Sequence, residues 1–175
     1  VRYLLQQIPY KSALIFCGRK QDVKQLTRLL KKYGFSVAEM HSDLAQAARE
    51  EVMLGFASGQ FPILVATDIL SRGIDIDTID LVINYDVPHD GEDYVHRIGR
   101  TARAEAEGIA ITIIGEKEQR RFAAIEQLLT GNYKIEKCTN LSVSAGGETL
   151  PDALNDVVIS SGEPSKIVYA EIFKD

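Results

Sequence analysis

The run Tyr94-Val95-His96-Arg97-Ile98-Gly99-Arg100-Thr101-Ala102-Arg103 sets three arginines three residues apart, with a histidine beside the first. On one continuous helix those arginines would share a face, because residues three and four apart are neighbours. Like charges at that spacing cost a helix a few tenths of a kcal/mol, so structure alone gains little from them. A helix ending at Gly99 would instead put the last two guanidiniums on the turn beyond it. Both geometries cluster planar forks suited to bidentate grips on phosphate or carboxylate. The competing reading is a solvated arginine face, or pairing with the nearby Asp90, Glu92, Asp93, Glu105 and Glu107.

A second candidate lies in Ile63-Leu64-Val65-Ala66-Thr67-Asp68-Ile69-Leu70-Ser71-Arg72-Gly73-Ile74-Asp75-Ile76. A buried strand here ends in a small polar pair. Thr67 could offer a hydroxyl and a backbone N–H to a phosphate. Asp68 has an alternative role as the N-cap of the residues after it. Gly73 permits close backbone approach or positive φ. Asp75 could accept from a ribose hydroxyl, or serve in a turn or an ion pair.

The elements that must position these residues are readable from apolar patterning. Ala13-Leu14-Ile15-Phe16-Cys17, Ile63-Leu64-Val65-Ala66, Leu81-Val82-Ile83 and Ile109-Ala110-Ile111-Thr112-Ile113-Ile114 are short continuous apolar runs. Such runs read as strands buried on both faces of a parallel sheet. Between them, Val23, Leu26, Leu29, Leu30 and Tyr33 recur at helical spacing, closed by Gly34. A second helix runs from near Gln46 to Phe56, closed by Gly59, with a short strand over Ser36 to Glu39 before it. Phe122, Ile125, Leu128 and Leu129 form a third stripe, closed by Gly131. Alternation of this kind implies βαβ units, a parallel sheet and helices on both faces. In such sheets ligands bind outside the carboxyl ends of the strands. The segments to inspect are therefore Gly18-Arg19-Lys20, His41-Ser42-Asp43, Thr67-Asp68 and Asp86-Val87-Pro88. From about Cys138 the character changes: Asn140 to Leu150 is Ser- and Gly-rich. Asp156 to Ser160 and Lys166 to Phe173 could pair across the Gly162-Glu163-Pro164 turn.

The 175 residues suit one domain with a small appendage. A formal net charge of −5 supplies no global positive field, so any nucleic-acid site must be a local patch on an acidic body. Cys17 and Cys138 match no metal spacing and no disulfide framework, which fits a reducing, cytoplasmic compartment. Cys17 reads as a small buried residue. The first residues do not form a signal peptide, and no apolar run is long enough to span a membrane.

Taken in order, these segments resemble the second RecA-like domain of DEAD-box RNA helicases, most like the bacterial RhlE-like branch. Ala66-Thr67-Asp68 through Asp75 looks like motif V, and His96 to Arg103 looks like the His-Arg-x-Gly-Arg-x-x-Arg pattern of motif VI. His41-Ser42-Asp43-Leu44-Ala45-Gln46-Ala47-Ala48-Arg49 looks like the segment ending in Gln-x-x-Arg. Phe16-Cys17-Gly18-Arg19-Lys20 sits where motif IV is expected, and Val82-Ile83-Asn84-Tyr85-Asp86-Val87-Pro88 matches the stretch between motifs V and VI. The resemblance covers about residues 1 to 130. It implies a three-layer α/β RecA-like domain with a mostly parallel sheet over residues 1–137, where 1–8 end an inter-domain linker. Residues 138–175 would be an extension.

The resemblance also implies roles. Arg100 and Arg103 would be arginine fingers on the β- and γ-phosphates of ATP. His96 would couple nucleotide state to RNA across the domain interface, while Arg97 would brace the motif. Gly73 and Asp75 would line the nucleotide side, Asp75 near the ribose. Gln46, Arg49 and Thr67 would contact the RNA backbone, helped by Gly18, Arg19 and Arg72. Contacts to phosphate and sugar position a strand without reading its sequence. Three positions depart from the family pattern: Arg19 replaces Thr or Ser, Ser42 replaces Gly, and Ala102 replaces Gly.

The sequence contains no Gly-x-x-x-x-Gly-Lys-Ser/Thr loop and no Asp-Glu-Ala-Asp run. Those features, with the Mg²⁺ ligands, belong to the family's first RecA-like domain. The expectation is an excised C-terminal half: monomeric, inactive alone, and acting on ATP held by the other half. The alternatives are a DNA helicase or translocase domain and a non-enzymatic RNA-binding module.

Overall fold

The computed structural model describes residues 1–68, 79–101, 108–129, 134–138, 144–145, 148–149, 154–160 and 165–172, by backbone alone from residue 128 onward. Among the described residues five α-helices and ten strands follow in order: α1 Arg2–Gln7, β1 Ala13–Phe16, α2 Lys20–Lys32, β2 Val37–Met40, α3 Gln46–Ala57, β3 Ile63–Ala66, β4 Leu81–Asn84, α4 Gly91–Ile98, β5 Gly108–Ile114, α5 Gln119–Leu129, β6 Lys134–Cys138, β7 Ser144–Ala145, β8 Glu148–Thr149, β9 Leu154–Ser160 and β10 Ser165–Ile172. The main sheet has the order β2-β3-β1-β4-β5-β10-β9-β6. Its pairs from β2 through β10 are parallel, and β9 and β6 add antiparallel strands at the far edge. The mostly parallel three-layer architecture expected from the apolar runs is the one observed.

Alternation along each buried strand splits the core in two. Leu14 and Phe16 of β1, Leu64 and Ala66 of β3 and Val82 of β4 face one layer, with Phe56 of α3, Tyr94 and Ile98 of α4, and Phe122 and Ile125 of α5. Ala13, Ile15, Ile63, Val65, Leu81 and Ile83 face the other, with Leu4 and Leu5 of α1 and Val23, Leu26 and Leu30 of α2. A fully buried aliphatic side chain contributes about 1.5–3 kcal/mol, so these two layers are the main source of cohesion.

Several local expectations shift. The inward stripe of α2 is Val23, Leu26 and Leu30, whereas Leu29 and Tyr33 are 44% and 52% exposed. Tyr33 instead takes the Arg2 guanidinium over its ring at 4.3 Å, a cation–π contact between α1 and the end of α2. The strand expected over Ser36 to Glu39 is displaced by one residue, to Val37–Met40. Gly34 and Gly59 adopt φ of +83° and +74° after α2 and α3, the left-handed turns that favour glycine. The expected hairpin forms between β9 and β10, and β10 also runs parallel to β5. Gly131 and the turn residues Gly162-Glu163-Pro164 lie outside the described residues.

Polar contacts pin the two ends of the sheet. At the amino end, Asp80 Oδ2 accepts from the N–H groups of Lys11 at 2.7 Å and Ser12 at 3.0 Å, tying the start of β4 to the start of β1. Below the carboxyl end, Asn84 Nδ2 donates to Thr112 Oγ1 at 3.0 Å, and Thr112 Oγ1 donates to Tyr94 Oη at 3.3 Å. This fully buried chain fixes α4 over β4 and β5.

Leu64 lies at the centre of the sheet with no exposed surface. Leu64→Ala should lower stability by about 2–5 kcal/mol, read as a shift in the denaturant midpoint at unchanged slope.

Candidate functional site

The arginine run resolves into a helix and a turn. Asp90 caps α4, its Oδ1 accepting from Asp93 N at 2.8 Å. Glu92 and Asp93 occupy the first turn, and His96 and Arg97 the last. Acids at the N-terminus and bases at the C-terminus suit the helix dipole. Asp90, Glu92 and Asp93 therefore serve the helix start, and Arg97 finds its carboxylates elsewhere. The helix stops at Gly99, where a Cβ would lie 2.9 Å from the Val95 carbonyl oxygen, so the backbone approach there requires glycine.

Arg97 is 1% exposed. Its Nε donates to Asp68 Oδ1 at 2.6 Å and its Nη2 to Asp68 Oδ2 at 2.8 Å, a bidentate fork. Nη1 donates to the Asp86 carbonyl at 3.1 Å and lies 3.5 Å from Asp86 Oδ1. The guanidinium also stands over the Phe16 ring, 5.4 Å from its centroid. Burial works against the charge on Arg97, but the Asp68 and Asp86 contacts outweigh it and hold the proton more firmly than usual. Asp68 thus acts as the anchor for Arg97; the residues it was expected to cap lie outside the described residues.

Asp86 carries a second connection. Its Oδ2 accepts from the Gly18 N–H just past β1. The backbone ladder ends one step earlier, with Tyr85 N donating to Phe16 O at 2.8 Å. The following loop is held by Glu118, which accepts from Val87 N at 3.0 Å and Gly115 N at 3.2 Å, and by Arg121, which donates to Val87 O at 2.9 Å. Gly18, Arg19, Tyr85, Asp86, Arg97 and Lys117 are among the residues lining a cleft of about 790 Å³ over this edge. The sequence marked Asp86-Val87-Pro88 as a segment to inspect but gave Asp86 no role, and Glu118 was not singled out. The available signal was an acid immediately after a buried strand, at the level of Gly18 after its own strand. Cys17, between these elements, is fully buried, and burial raises its thiol pKa.

The candidate RNA-facing residues stand along the same carboxyl edge. Thr67 N donates to Met40 O at 3.1 Å, placing β3's end beside β2's. Thr67 Oγ1 is buried without a hydrogen-bond partner among the described residues, as is His96 Nδ1. Gln46 opens α3, exposed, its Nε2 donating to Glu50 Oε1 at 3.0 Å. Arg49 folds back to donate to Leu44 O and Ser42 O, both at 3.1 Å, which shapes the loop before α3. Arg19 is largely exposed and pairs with Asp22 at 2.7 Å. Gly18 already gives its N–H to Asp86, so its amide is engaged within the fold. Asp43 receives Lys20 Nζ at 2.8 Å and Lys24 Nζ at 2.7 Å, joining α2 to the loop before α3.

On the other candidate side, Arg100 Nε donates to His96 O at 3.3 Å. Thr101 Oγ1 donates to the Ile79 carbonyl, and Ile79 N donates to Arg100 O at 3.3 Å. Arg100 is thus held between the helix end and a bridge beside β4. Arg72, Gly73, Asp75, Ala102, Arg103, Glu105 and Glu107 lie outside the described residues. Among the described residues no group of three or more His, Cys, Asp or Glu could hold a metal ion. No helix of the described residues is long and apolar enough to cross a membrane.

Removing one partner of the buried fork leaves an uncompensated charge, so Arg97→Ala should cost about 3 kcal/mol in unfolding free energy. Arg97→Lys should recover only part of this, because an ammonium cannot make the bidentate contact with Asp68. A separate prediction concerns Asp43, whose pKa the hydrogen bonds from Lys20 and Lys24 lower to about 2. A depressed carboxyl contributes above its unfolded value near ~4, and the contribution is lost as pH falls from there toward the folded value. Carboxyl-carbon NMR should therefore show Asp43 titrating near pH 2, and Lys20→Ala with Lys24→Ala should return it toward the ordinary range.

Comparison with known proteins agrees with this geometry. The helicase conserved C-terminal domain family matches residues 1–105. The chain is 45% identical over 132 residues to the ATP-dependent RNA helicase DBP8 of Candida albicans, covering 75% of this chain and 30% of that protein. It superposes on the C-terminal domain of the DEAD-box protein Dbp5 with a TM-score of 0.68 and 32% identity, covering 74% of this chain and 76% of that one. It also matches S. cerevisiae Dbp5 L327V bound to RNA and ADP BeF3, with a TM-score of 0.62, 34% identity and coverage of 68% and 32%. The chain thus spans about a third of the curated relatives it matches. With its RecA-like sheet and its arginine-bearing helix end at the carboxyl edge, this chain belongs to the helicase conserved C-terminal domain family, in its DEAD-box RNA helicase form.

Proposed function

We propose that this chain is the second RecA-like half of an ATP-dependent RNA helicase that separates short duplexes locally. The observation that carries the reading is the Arg97 fork. It joins the strand end bearing Thr67 and Asp68 to the helix end bearing His96 and Arg100. Thr67, assigned to RNA, and Arg100, assigned to nucleotide, are thereby linked through one brace.

In this reading Gln46, Arg49, Thr67, Arg19, Gly18 and Arg72 face the RNA backbone, and Gly73 and Asp75 line the nucleotide. Arg100 and Arg103 stabilise charge spread over the transferring phosphoryl oxygens, an effect worth about 10³ to 10⁵ in rate. His96 couples across the interface to an N-terminal RecA-like domain of the same protein. Among the described residues no acidic set fits Mg²⁺, and its ligands are assigned to that other domain. RNA and ATP would close the two domains, and phosphate release would reopen them. The helicase half proper is assigned to 1–137, with 138–175 as an extension whose strand β10 pairs with β5 and carries β9 on its other side. The RhlE-like affiliation and a cytoplasmic setting rest on the sequence pattern and on cysteine usage respectively.

Arg100→Ala in the full-length protein should lower RNA-stimulated ATP turnover by about 10³-fold. RNA binding without nucleotide should stay near the wild-type value. Normal turnover by this variant would remove the finger assignment.

A further inference from the structure

We infer that Asp86 is a positioning residue that transmits the seating of the Gly18–Arg19 loop to the arginine-bearing end of α4. This inference rests on the function proposed above and adds a residue to its machinery.

The backbone pairing of β1 with β4 runs out at the carboxyl ends of the two strands. Phe16 still accepts from Tyr85 N–H at 2.8 Å, the last rung made by main chain alone. The next rung is a side chain: the Gly18 N–H donates to Asp86 Oδ2. The loop after β1 therefore takes its position from a rotatable carboxylate. A Cβ on Gly18 would meet Asp86 Oδ1 at 3.2 Å and Oδ2 at 3.3 Å, so loop and carboxylate are packed closely enough that neither moves alone.

The other end of Asp86 meets Arg97. Nη1 donates to the Asp86 carbonyl at 3.1 Å, while Oδ1 stands 3.5 Å away, at the margin of a hydrogen bond. The Asp68 fork is tight, at 2.6 and 2.8 Å. Arg97 thus has one firm carboxylate and one loose one, and the loose one is tied to the loop. A small displacement of Gly18 can tighten or release the Asp86 contact without breaking the Asp68 fork. Arg100 lies beyond the same helix end, its backbone N donating to Arg97 O at 3.3 Å, so a shift of Arg97 carries Arg100 with it. A purely structural Asp86 would need only the backbone carbonyl contact and would leave Gly18 to water.

The test uses the full-length protein and single-stranded RNA. RNA affinity is measured without nucleotide and with ADP–beryllium fluoride, and the ratio of the two is the coupling. Asp86→Asn should keep the nucleotide-free affinity within about twofold and reduce the ratio by about tenfold, since coupling is a free energy separate from either affinity. Gly18→Ala, which displaces the carboxylate sterically and keeps its charge, should also reduce the ratio. It decides the matter if Asp86→Asn fails to fold. Glu118→Gln loosens the same loop at Val87 and touches neither Gly18 nor Arg97, so it should keep the wild-type ratio. An unchanged ratio in folded Asp86→Asn overturns the inference, as does an equal loss in Glu118→Gln. A wild-type protein with no coupling at all would instead overturn the helicase reading on which the inference stands.

Discussion

Burying a guanidinium ion deep among strand ends is costly unless every face of it is matched. Arg97 meets that condition with Asp68, the Asp86 carbonyl, the Asp86 carboxylate and the Phe16 ring, which come from three separate segments of the chain. Satisfying one side chain therefore fixes where the strands β1, β3 and β4 end relative to α4. Lysine could not do this, because a point charge has no rigid fork to distribute among three elements. The edge that results is stiff where the Asp68 fork lies and adjustable where Asp86 reaches the loop after β1.

The rest of the fold holds that edge still. The two apolar layers on either face of the sheet fix the strands in depth. The Asn84–Thr112–Tyr94 chain prevents α4 from rolling over β4 and β5. Glu118 and Arg121 hold the loop past Asp86 from the side of α5. A rigid frame carrying functional groups on the loops at the carboxyl ends of parallel strands is the general arrangement of such sheets. It allows an acidic chain to present a cation locally: Arg19 stands on this edge, while the carboxylates of Asp68 and Asp86 are turned inward on Arg97.

Much of this was readable from residue types. β1, β3, β4 and β5 are nearly continuous short apolar runs, and alternation of such runs with helical stripes reads as a parallel sheet buried on both faces. Gly34 and Gly59 marked helix ends because their left-handed turns need no Cβ. What escaped was long-range. Asp90, Glu92 and Asp93 sit at the start of α4, and the carboxylates that pair with Arg97 lie 29 and 11 residues away. Nothing in local spacing distinguishes those two sets. Leu29 and Tyr33 fit the apolar period of α2 yet lie at its exposed margin, because period alone does not give the width of the buried stripe. The segment from Asp86 was legible as a strand end to inspect, but the role of its carboxylate depends on Gly18 and Arg97, which local spacing does not name.

The central claim is that this braced edge belongs to an RNA-dependent ATP hydrolase. The most direct test is steady-state ATP hydrolysis by the full-length protein without nucleic acid, with RNA, and with matched single-stranded DNA. Strong stimulation by RNA and little by DNA is the expected result. Equal or greater stimulation by DNA would contradict the account and return the roles of Gln46, Arg49 and Thr67 to a DNA translocase.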